Sequence, residues 1–148
     1  MKPDIQAVLA QTVQAMLQDF APGAATPYLA SQIGMTAFVL SMAVEDFDRA
    51  ASRRVEENRS IRALLTRSAD LGLEPGLAAR LAALAAGQDD DLHISALDAA
   101  NAALRAALID LQSTVEARAE PAAAALHDAI WAELADSTER RRFAGANF

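Results

Sequence analysis

Between Thr26 and Leu71 the sequence contains no helix stop. Thr26 is a good N-cap, Pro27 suits the first helical turn, and the next strong breaker is "LGLEPG" at 71–76. Gly34 lies inside the run, but one glycine costs only about 1 kcal/mol relative to alanine in a helix interior. An unbroken helix here has about 44 residues and a length of roughly 66 Å. A rod of that length sets the rest of the fold. Shorter helices must lie along it, and apolar surface they leave open needs another cover.

The remaining punctuation is sparse: "APGAATP" at 21–27, "AGQDDD" at 86–91 and Pro121. A first helix is predicted from Pro3 to Phe20, with Asp4 at its positive end. Its stripe is Ile5, Val8, Leu9, Val13, Met16, Leu17 and Phe20, at amphipathic spacing. A short third helix, Pro75 to Ala86, carries Leu77, Leu81 and Leu84, and Gly87 is a natural stop. A fourth begins near Ser95 and carries Leu97, Leu104, Leu108, Leu111 and Val115. Pro121 either kinks it or opens a last helix, to about Arg141, with Leu126, Ile130, Trp131 and Leu134. No run alternates with period two. The fold class is therefore all-α: an up-and-down bundle of four to five helices with one or two long helices, one domain over 1–148 with 143–148 frayed.

The stretch "MAVEDFDRAASRRVEENRSIRALL", 42–65, is dense in acids and arginines. Its seam positions step 40, 44, 47, 51, 55, 58, 61, 65, a mix of threes and fours as in a bundle. The charges then fall off the seam, with Glu45–Arg49, Arg53–Glu57 and Glu56–Arg59 at pairing distance. This reads as a solvated face. The arginines of the second half leave open docking of an acidic partner or of a second subunit.

Asn58 and Asn101 are polar residues on two apolar seams. Setting them face to face, with the fourth helix antiparallel to the second, gives a register. It also places Phe47 near Gln112, Val44 near Val115, Arg62 near Asp98 and Tyr28 near Trp131. A buried Asn pair fixes register at some cost in stability; the alternative is polar contact with a ligand inside the bundle. In the same register Tyr28, His127 and Trp131 line either a pocket or an aromatic plug. Narrow leucine stripes beside so long a helix leave apolar surface open, and a homodimer would close it.

Motifs for catalysis are missing. No Glu-x-x-His pair marks a di-iron bundle, no G-x-S-x-G marks a nucleophile elbow, and no glycine-rich phosphate loop occurs. "QDDDLH" at 88–93 lacks regular cation-ligand spacing, and its acids suit a helix start. Arg140, Arg141 and Arg142 either grip an anion or complement a helix C-terminus. No catalytic residue, metal ligand or cofactor is expected.

A net charge of −7 argues against nucleic acid as a partner. The chain has no cysteine, so thiol chemistry is excluded. No 18 consecutive apolar residues occur, and the N-terminus lacks a signal-like run, so no membrane segment and a cytoplasmic location are expected. Alanine makes up a quarter of the chain and arginine outnumbers lysine twelve to one, a bacterial, GC-rich style.

The segments "LASQIGMTAFVLSMAVEDF", "LDAANAALRAALID" and "IWAELADSTERRRFAG" resemble a group of small bacterial all-helical proteins of unknown function. Those proteins are encoded near aminoglycoside-phosphotransferase-like kinases and acyl-CoA dehydrogenases. The resemblance carries over no catalytic residue and implies an accessory role beside an enzyme. The expected function is a non-catalytic helical interaction or accessory module, homodimeric or bound to another protein. The alternative is a bundle binding a small anionic molecule through Arg140 and Arg141 near Tyr28, His127 and Trp131, with Asn58 and Asn101 as polar contacts.

Overall fold

A computed structural model describes residues 4–143. The protein is all-α, a helical bundle, with no strand among the described residues. Helix α1 is Ile5–Ala15, followed by a π-turn, Met16–Phe20. Helix α2 is Pro27–Arg67, 41 residues, closed by a 3-10 turn at Ser68–Leu71. Helices α3, α4 and α5 are Pro75–Ala85, Ile94–Glu116 and Pro121–Arg140. The start expected at Pro3 lies outside the described residues, as does the tail beyond Phe143.

The termini follow from local chemistry. Asp4 caps α1 by accepting from the Gln6 amide, and Thr26 caps α2 by accepting from the Leu29 amide at 3.2 Å. Glu74 accepts from Leu77 N–H and Pro75 fills the first turn of α3. Pro121 does not kink a long helix. The chain leaves α4 at Ala117, and the proline opens α5. The π-turn carries a five-residue hydrogen bond, Ala21 N–H to Met16 C=O at 2.9 Å.

The chain divides into two compact units, one ending at Ala50 and joined by Phe143, the other spanning Ala51–Arg142. In the second unit four helical segments run up, down, up and down. Asp89, just after α3, has returned to the level of Arg62 and Asn58. Helix α4 then climbs beside α2: Asp98 meets Arg54, Asn101 meets Asn58, and Arg118 donates to the carbonyls of Leu71 and Gly72. Helix α5 descends, with Arg67 reaching the Ala125 carbonyl and Arg141 reaching Glu57. Their shared core is Ile61, Leu64, Leu65, Leu81, Leu104, Leu108, Leu111, Val115, Leu126 and Ile130.

Two expectations are corrected here. Helix α4 is parallel to α2, because α3 takes the return path between them. The Asn58–Asn101 contact is real, but the antiparallel register drawn through it is not. Arg62 pairs with Asp89, and Asp98 with Arg54. The pairings of Phe47 with Gln112, Val44 with Val115 and Tyr28 with Trp131 lose their basis with it.

Among the described residues of the first unit, only Val13, Ala37 and Ala50 are buried apolar residues. The α1 stripe is not a buried one: Ile5, Val8, Leu17 and Phe20 are exposed. Phe47, placed on the α2 seam, is 60% exposed. Each of these side chains is at least 42% exposed.

Gly72 has φ 56°, and a Cβ there would meet nothing within 4 Å. Gly72→Ala should therefore cost about 1 kcal/mol, purely through the left-handed backbone. Gly34 also has open space but sits in a regular helix, so Gly34→Ala should stabilise by up to about 1 kcal/mol. Urea unfolding of both variants checks the opposite signs.

Candidate functional site

Two features stand out from the alanine-rich scaffold. The first is a buried polar layer in the second unit. Residues 57, 61, 64 and 68 of α2 and its closing turn step by four, three and four, and all are buried: Glu57, Ile61, Leu64 and Ser68. Glu57 is therefore a core residue of α2, only 4% exposed, and not part of a wet face. Its carboxylate accepts from Arg105 at 2.6 Å on Oε1 and from Arg141 at 2.6 Å on Oε2. The expected partner, Arg53, is replaced by two arginines from α4 and the end of α5.

Asn58 is fully buried beside it. Its amide donates to Asp89 Oδ1 at 3.0 Å, and its carbonyl accepts from Asn101 at 2.9 Å. Asp89 also takes a bidentate pair from Arg62, at 2.7 and 2.8 Å. The loop before α4 is thus clamped to α2 by one carboxylate with three donors. Glu133 on α5 pairs with Arg140.

Electrostatics divides these acids. Burial pushes the Glu57 carboxyl up, but the Arg141 hydrogen bond and the charges of Arg141 and Arg105 outweigh it and hold it below its ordinary 4.5. The Arg62 hydrogen bond holds Asp89 below 3.8 against the opposing effect of burial, helped by Asn58. Glu133 goes the other way: burial, with the Glu57 charge nearby, lifts it above 4.5 despite Arg140 and a Ser60 hydrogen bond.

The layer places the residues singled out in the sequence. Asn58 and Asn101 meet each other, while Arg141 and Arg140 are held by Glu57 and Glu133. His127 accepts from the Trp131 indole N–H at 3.1 Å, with the rings edge to face, and Glu116 lies 3.8 Å from the imidazole. Trp131 is exposed. Tyr28 belongs to the first unit and is 74% exposed. The grooves of the second unit lie elsewhere. One of about 430 Å³ is lined by Leu65, Leu73, Leu81 and neighbouring alanines, and another of about 480 Å³ by Arg80, Leu84 and α4 alanines.

The second feature is an open apolar face on the first half of α2. Tyr28, Met35, Val39 and Met42 recur at intervals of seven, four and three, one stripe of a helix. Tyr28, Met35 and Val39 are 74%, 62% and 58% exposed, and Met42 is half-buried. Buried Ala37 is two positions from both Met35 and Val39, about half a turn away around the helix. This part of α2 is thus apolar on two opposite sides, buried at Ala37 and exposed at Met35 and Val39. Phe38 and Phe47 extend the exposed surface. Of fourteen large exposed apolar side chains among the described residues, ten precede Ala50.

A sequence signal for that face existed. From Ile5 to Val44 the only charged residue is Asp19. By length and composition, the helix Pro27–Leu71 can cross a membrane. No protein-family model, curated protein or solved structure matches the chain.

Asn58→Ala leaves the Asn101 amide and part of Asp89 unpartnered. It should cost about 2 kcal/mol in urea unfolding, with N58A/N101A well below additive. The acids give a pH test. Stability held by Glu57 and Asp89 is present above their ordinary values and lost as pH falls through the lower folded ones. Glu133 has the opposite sign: its contribution is complete below 4.5 and lost as pH rises through its raised folded value. Unfolding midpoints of E133Q should therefore gain on wild type as pH climbs above 4.5.

Proposed function

We propose that the protein is a non-catalytic helical interaction module, an accessory subunit that works by contact. The observation that carries this reading is the uncovered stripe Tyr28, Met35, Val39 and Met42, set in a stretch with one charge in forty residues. Interface cores are poor in charge and rich in aromatic residues and methionine. Contiguous apolar surface on a soluble chain marks a contact site. The second unit supplies the rigid half, with its own core and a polar layer that fixes helix register. An accessory role beside an enzyme agrees with the resemblance of three helical segments to proteins encoded near kinases and dehydrogenases. A cytoplasmic, bacterial setting belongs to the same proposal.

The reading requires that the stripe serve a partner and not the chain's own fold. In M35E/V39E the circular dichroism and unfolding midpoint should stay within about 0.5 kcal/mol of wild type, as for exposed positions. Native mass spectrometry should show wild type carrying a second polypeptide and the variant carrying none. Wild type flying as a bare monomer at every concentration, or a variant that unfolds, would sink the reading.

A further inference from the structure

We infer that the partner on this stripe is a second copy of the chain, docked antiparallel about a two-fold axis; the inference rests on the interaction reading above. Charge is the first ground. A surface with no charged group from Phe20 to Val44 fits a partner equally free of charge, since a buried unpaired charge is costly. A second copy meets that condition by identity.

Charge also selects the direction. Beyond Val44 the helix continues into Glu45, Asp46 and Asp48. Asp46, four residues after Met42, prolongs the stripe. Parallel copies would set Asp46 against Asp46, like charge facing like. Antiparallel copies centred near Ala37 keep like charges apart and set each acidic end against the neutral segment 21–29 of the other copy, with Asp46 level with Tyr28.

The register is self-complementary, as a two-fold contact requires. Val39 of one copy lies opposite Met35 of the other, and Met42 opposite Gln32. Tyr28 comes level with the polar end of the stripe, where its hydroxyl stays wet. Area is the last ground. At the stated exposures, Tyr28, Met35 and Val39 alone present on the order of 400 Å², about half of the roughly 800 Å² each partner buries in a stable complex, so a stable dimer also buries the flanking apolar side chains such as Phe38.

A lipid bilayer is the competing cover. Length does not exclude it, because α2 is long enough to cross; the argument against it is polarity. Gln32 sits within the stripe, α1 carries Gln6, Gln11 and Gln14, and the π-turn after it carries Gln18.

The cysteine-free chain gives a clean test. Full-length M35C and V39C are each oxidised alone and as an equimolar mixture. The mixture alone should yield a disulfide-linked dimer, while wild type should weigh as a dimer by sedimentation. M35E/V39E should shift dissociation about a hundredfold or more toward higher concentration. V39C cross-linking alone as strongly as the mixture would overturn the antiparallel register. Binding only to vesicles of phosphatidylethanolamine and phosphatidylglycerol would overturn the second copy in favour of lipid. A different retained polypeptide would end the second-copy inference and leave the interaction reading standing; a bare monomer would end both.

Discussion

The structure depends on the continuity of α2. One hydrogen-bonded ladder runs for 41 residues, without proline after its first turn and with one tolerable glycine. Propensity alone does not hold such a helix in water; packing of its faces does. Those faces differ along its length. From Arg54 to Ser68 the helix is surrounded by α3, α4 and α5 and buries Glu57, Asn58, Ile61, Leu64 and Leu65. From Tyr28 to Val44 it buries Ala37 and leaves Tyr28, Leu29, Met35, Phe38 and Val39 exposed to water. The same element is a core helix in one stretch and a half-finished one in another.

The polar layer explains how alanine-rich helices find one arrangement. Alanine and leucine stripes slide past each other with little penalty, since each turn resembles the next. A buried amide pair with a clamped carboxylate does not slide: moving Asn58 by one turn would strand Asn101 and Asp89 together. Pairs of this kind contribute little net stability, because desolvation offsets most of the attraction. Their effect is on specificity, the wrong registers losing more than the right one gains. The Asp89 clamp also fixes the loop from which α4 starts at the level of Arg62 and Asn58.

Helix identities and most helix ends were legible, because caps and breakers are local chemistry: Thr26–Pro27, Glu74–Pro75, Gly72 and Pro121 act within a few residues. The Asn58–Asn101 contact was legible as two polar residues on two apolar seams. Direction was not, because one contact is compatible with parallel and antiparallel neighbours. Only the return path of α3 decides, and its length relative to α2 enters no seam pattern. Glu57 reads as a surface residue only while charge is equated with solvent. Its spacing to Ile61 and Leu64 carried the burial, and its partners, Arg105 and Arg141, lie 48 and 84 residues away.

The stripe on α2 is hard to read from sequence for a related reason. Searching for unbroken apolar runs passes over a helix whose polar residues are uncharged, such as Ser31, Gln32, Thr36 and Ser41. Several of these satisfy themselves: Thr36 donates to the Gln32 carbonyl and Ser41 to the Phe38 carbonyl. They therefore demand little of water and do not keep the surface wet. The informative quantity is charge partition. Nearly all the acids and arginines lie after Val44, where they bind one another across the bundle, while the stretch before it contributes almost no field. A chain selected only for solubility would spread its charges. Concentrating them in one half leaves a neutral, aromatic- and methionine-bearing helix face in the other, the arrangement that association by burial requires.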